Sequence, residues 1–85
     1  MKIKDEYFIK NENGQNLVKN KSKNIENVIV LGNTATLLFG LLKEKDCSQD
    51  EMLEFILRNT EISTVLALND LNVFIELMKE NDVFE

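Results

Sequence analysis

The stretch that most constrains this chain is "IVLGNTATLLFGLL", residues 29 to 42, because its apolar period changes in the middle. Ile29, Val30 and Leu31 form an unbroken apolar run with two β-branched members, which suits a strand. After Gly32 and Asn33, the residues Ala35, Leu38, Phe39 and Leu42 return at the spacing that lines one face of a helix. A strand therefore passes into a helix across two residues. The residues N-terminal to this switch must pair with the strand, and those C-terminal to it must cover the helix.

The N-terminal residues read as β-structure. "YFIK" (7–10) is a short strand with aromatic and β-branched members, and "NENG" (11–14) holds the Asn and Gly that reversing turns use for positive φ. "QNLVKN" (15–20) is the return strand of a hairpin. "KSKN" (21–24) is a polar connection, and "IENVIVL" (25–31) completes a third and more apolar strand.

The remainder reads as three helices, expected over about 34–43, 48–58 and 63–80. Asn33 stands where a cap of the first would fall, and Gly40 inside it suggests a close packing contact. Ser48 and Glu51 have the S-x-x-E spacing of a capping box at the start of the second. In the third, at about 100° per residue, Ala67, Leu71, Phe74 and Met78 share one face, which Leu68 and Ile75 widen on one side. Leu66, Val73 and Leu77 lie on the other flank, with Asp70 between the groups. Together these cover more than half the circumference, whereas one-sided packing needs little more than about 100°. Something beyond the core must cover an edge of this helix. The order of elements, three strands then three helices, is that of an α+β domain.

Eighty-five residues make one domain, 1–85, with a core but no room for a deep catalytic cavity. Charges interrupt the apolar residues of "MKIKDEYFIK", so no signal peptide is expected, and no apolar run is long enough for a bilayer. With Cys47 as the single cysteine, no internal disulfide forms, and a cytoplasmic location is expected. The net charge of −5 is uneven. Residues 1–32 hold six lysines against four acids, and residues 33–85 hold four cations against eleven acids. Such an acidic half repels a phosphate backbone, so no nucleic-acid partner is expected.

Catalytic and metal-binding groups are sparse. The chain has no histidine, the commonest base and ligand. Cys47 has no evident base beside it, Ser48 serves as a cap, and Gly14, Gly32 and Gly40 are too scattered to cradle a phosphate. The expectation is a chain that is not an enzyme, with no catalytic residues, no metal and no cofactor.

The segment "VIVLGNTATLLFGLL", the capped second helix and the ending "LNDLNVFIELMKENDVFE" resemble the PqqD-like family, the RiPP recognition elements. The likeness runs from Tyr7 onward. It is carried by Leu31, Thr34, Phe39 with Leu41 and Leu42, and the spacing of Asp70, Leu71, Phe74, Ile75 and Met78. Two departures stand out: Gly32 where the family usually has Asn, and Asp82 where it usually has Gly. The resemblance implies a winged-helix-like fold, a three-stranded antiparallel sheet followed by three helices. It also implies a function, binding the leader region of a ribosomally made precursor peptide as an extra strand beside the third strand and against the last helix.

Carried onto this chain, that mode assigns peptide binding to Ile25, Asn27, Val28, Ile29 and Val30 on the strand. On the helix it assigns Leu66, Asn69, Asp70, Val73 and Leu77. An alternative places Leu68 and Ile75 on the peptide side. Asp70 pairs either with a basic leader residue or with a local partner, and Val28 and Val30 meet either the peptide or a second buried face. The implied partners are the leader peptide and a separate modifying enzyme, whether a radical-SAM protein, a leader protease or a cyclase, with no membrane partner. Two other readings share the architecture: a winged-helix DNA-binding regulator and a structural dimerisation subunit.

Overall fold

The structure is a computed structural model that describes residues 1–24 and 28–85. Strand β1 (Tyr7–Glu12) and strand β2 (Gln15–Asn20) pair antiparallel from Tyr7↔Asn20 to Glu12↔Gln15. Only Asn13 and Gly14 join them, both at positive φ (52° and 79°). Two such residues match the right-handed twist of the flanking strands. The turn is thus tighter than "NENG" suggests, and β1 runs on through Glu12.

Strand β3 is short, Val30–Leu31, and completes a sheet of order β1-β2-β3. Leu31 opposes Asn16 and Val30 opposes Leu17. The Val18 amide donates to the Ile29 carbonyl at 3.0 Å. The expected strand over 25–31 is therefore corrected to two residues, approached by Val28 and Ile29; Ile25, Glu26 and Asn27 lie outside the described residues. The hydrogen bonding at the end of β2 accounts for the shortening. The Asn20 side chain accepts from the amides of Ser22 and Lys23 (2.8 and 3.2 Å), turning the chain out of the sheet, and among the described residues the return meets β2 from Val18.

Helix α1 spans Asn33–Glu44, α2 Gln49–Asn59 and α3 Thr64–Glu80. Asn33 does not cap α1: it is the first helical residue, and extended Gly32 takes the cap position without a side-chain bond. The start is fixed instead by Thr36, whose amide and hydroxyl both donate to the Gly32 carbonyl at 2.9 and 2.8 Å. Gly40 is exposed, with nothing within 4 Å of where a Cβ would stand, so the expected close contact is absent and nothing in the structure explains the glycine. At α2 the capping box is complete: Glu51 N–H donates to Ser48 Oγ (3.2 Å) and Ser48 N–H to Glu51 Oε1 (3.0 Å). Those bonds hold the Glu51 carboxyl below the usual glutamate range.

α3 starts at Ser63, whose Oγ accepts from the Leu66 amide, and ends in a two-bond Schellman closure. Val83 N–H reaches the Met78 carbonyl and Asp82 N–H that of Lys79. Asp82 occupies the left-handed position at φ 55°, which glycine usually fills, and its carboxylate meets Lys4 Nζ at 3.0 Å. Beyond it, Phe84 bridges to Ile3, whose amide donates to the Leu42 carbonyl. The core gathers Leu38, Phe39 and Leu42 of α1, Met52 and Ile56 of α2, and Ala67, Leu71, Phe74, Ile75 and Met78 of α3. Ile3, Tyr7, Val18, Ile29, Leu31 and Val83 close it.

Candidate functional site

Because Ile29 and Leu31 turn their backbone groups toward β2, alternation aims the amide and carbonyl of Val30 the other way. Among the described residues no neighbouring strand takes up that outer edge. It opens on a groove of about 410 Å³ between β3, the start of α1 and the middle of α3. Leu31 and Phe74, both buried, form its floor. Val30 and the half-buried Leu77 line its sides, and Val73 stands at the lip, 57% exposed. Exposed apolar side chains around an apolar floor are the usual composition of a binding cleft.

The polar lining is sparse. Asn33, Thr34 and Asn69 contribute amides and a hydroxyl, and Asp70 is the one charged residue lining the groove. The Asp70 carboxylate is half-buried and meets no cation within ion-pair distance among the described residues. The first turn of α1, which carries no acidic residue and no side-chain cap, brings the positive end of its helix dipole to the same groove.

Of the residues assigned from sequence, Val30, Asn69, Asp70, Val73 and Leu77 come together here. Ile29 does not. Its side chain is 3% exposed within the core and its carbonyl is committed to Val18, so its place in the site is corrected to a supporting one. Val28, 79% exposed, lines a separate hollow with Lys19, Asn20 and Lys23, and two-sided burial of Val28 and Val30 is not what the fold does. Leu66 is exposed on the same stripe of α3 but outside the lining residues. Ile25 and Asn27 lie outside the described residues. The alternative flank is only partly covered: Ile75 is in the core and Gln49 Nε2 donates to Asn72 Oδ1 at 3.2 Å, joining α2 to that side of α3, while Leu68 is 42% exposed and lies outside the groove.

Gly32, Asn33, Thr34, Ala35 and Phe74 also line the groove, and their sequence context did not single them out for it. The strand-to-helix switch was their signal, since it puts the first turn of α1 beside the edge of β3. Phe74 reads as core from its period, and it is core and groove floor at once. Cys47 is buried, its thiol turned to the Lys45 carbonyl. Among the described residues no cluster of metal-ligating side chains occurs, and no helix is long and apolar enough to cross a membrane.

Fold and groove together define a small winged-helix-like α+β domain with an apolar cleft beside an open sheet edge. Among solved structures the chain is similar to TbiB1 in complex with the TbiA(beta) leader peptide. The TM-score is 0.72, with 16% identity, over 100% of this chain and 95% of that one. The likeness establishes a shared fold. No family model matches the chain, and no curated protein matches it either.

Proposed function

We propose that this chain is a non-catalytic leader-binding module. It captures the leader region of a ribosomally synthesised precursor peptide as an added strand on the outer edge of β3, against α3. The observation that carries this reading is the outward backbone of Val30 opening directly onto an apolar groove. An open edge supplies backbone donors and acceptors with little demand on sequence, and pockets beside it supply choice. The shared fold with a protein solved in complex with a leader peptide supports the same reading. The bound precursor is then presented to a separate modifying enzyme, a radical-SAM protein, leader protease or cyclase, by raising its local concentration. The acidic helical surface is the candidate contact for that enzyme.

The test is hydrogen exchange with and without a synthetic leader peptide. At saturation the Val30 amide is expected to slow strongly. The Leu31 amide, already directed to β2 opposite Asn16, changes less. Unchanged exchange at Val30 with saturated peptide excludes strand addition at this edge.

A further inference from the structure

We propose that Asp70 is the specificity determinant of the groove, selecting an extended segment with alternating apolar side chains followed by a lysine or arginine. The inference rests on the strand-addition reading above and gives its partner a chemistry.

Two of the described acidic residues are only partly exposed, Glu12 and Asp70. Glu12 lies between Lys10 and Lys19, at 3.5 and 3.9 Å. Asp70 has no such partner among the described residues, and the only positive potential in the lining is the partial charge at the start of α1. A carboxylate set among Val73, Phe74 and Leu77 gains most from a cation that arrives with the guest, because covering the groove removes water from both charges at once.

Geometry fixes the rest of the pattern. Directly opposed residues of neighbouring strands put their side chains on the same face. A guest residue paired with Val30 therefore points as Val30 does, and its two neighbours point as Leu31 does, onto the groove floor. The guest must be apolar at alternate positions. From Asp70 to Leu77 α3 rises about 10 Å, against about 13 Å from the first to the third groove-facing position of a strand. For a guest running along α3, apolar side chains against Val73 and Leu77 bring the next groove-facing position to within about 3 Å of the level of Asp70, a gap that a lysine or arginine side chain spans. That position takes the cation.

The experiment is selection of a displayed library of random peptides, about a dozen residues long, on the wild-type protein, Asp70→Lys and Val73→Glu. Wild type is expected to enrich alternating apolar residues with Lys or Arg at a fixed offset. Asp70→Lys is expected to replace that residue by Asp or Glu while keeping the alternation. The synthetic wild-type consensus should lose roughly tenfold in affinity to the isosteric Asp70→Asn, and less at high salt. Enrichment of the alternation with no charge preference, or with a preference that Asp70→Lys does not move, overturns the role of Asp70 and leaves strand addition standing. No enrichment on wild type, or enrichment indifferent to Val73→Glu, overturns strand addition and this inference with it.

Discussion

The two flanks of α3 carry similar side chains and meet different fates. On one, Ile75 is 7% exposed and Asn72 is bonded to Gln49 at the start of α2, leaving Leu68 as the one apolar side chain there still 42% exposed. On the other, Val73 and Leu66 stand in solvent and Leu77 is half covered. Leucine, isoleucine and valine on a wheel show that a helix is apolar too far round; they do not show which margin the fold itself will seal. Sealing came from α2, a neighbour whose position its own capping box and the Gln49–Asn72 bond help to fix. The margin facing β3 has no such neighbour among the described residues, because the strand beside it is brief and Val30 ends the sheet.

The contrast can be broken most sharply in stability. Ile75→Ala is expected to cost about 2–5 kcal/mol by leaving a cavity in the core, read from urea denaturation. A loss within the range of surface substitutions would mean that this flank is not covered at Ile75. Val73→Glu should do the reverse, leaving the denaturation midpoint nearly unchanged while weakening leader affinity at least tenfold. That is the order of about 1.5–3 kcal/mol for one covered aliphatic side chain. Wild-type affinity in a folded Val73→Glu, checked by calorimetry, would assign the open flank no part in binding.

Smaller effects sharpen the same division. Ser48→Ala removes a cap and is expected to destabilise by about 1 kcal/mol, with leader affinity unaltered, since the cap serves the sealed side. The Glu51 carboxyl is held low by its bonds to Ser48, so its stabilisation is present above the ordinary glutamate pKa. It fades as pH falls through the lowered one. An acid titration of stability in Glu51→Gln should therefore be flatter than wild type below that range. Gly40→Ala, in open space on α1, is expected to raise stability by up to about 1 kcal/mol without touching either flank; thermal melting decides it.

Much of this architecture was legible because its signals are local. The Asn and Gly of "NENG" called for a reversing turn, though not one confined to Asn13 and Gly14, and Ser48 with Glu51 announced a helix start. The α3 wheel sorted core from surface but left Ile75 between the two, until α2 was placed. What escaped the sequence depends on distant partners. Asn33 has the chemistry of a cap, but Gly32 takes the extended backbone and Thr36 supplies the bonds. The third strand reads as seven residues because Ile25, Val28 and Val30 are apolar, yet among the described residues it runs only over Val30–Leu31, after Asn20 has turned the chain out of β2. The pairing of Ile3 with Phe84 joins the two ends of the sequence, and no local pattern encodes it. In the groove, the α3 residues were legible from period, whereas the contribution of α1's first turn required knowing how sharply the chain bends at Gly32.

The brevity of β3 also bears on how the molecule behaves at high concentration. A long bare margin would zip indiscriminately onto other copies, the ordinary route to aggregation of unprotected sheets. Among the described residues β3 offers only two rungs for that, so pairing between copies along this edge is expected to be weak.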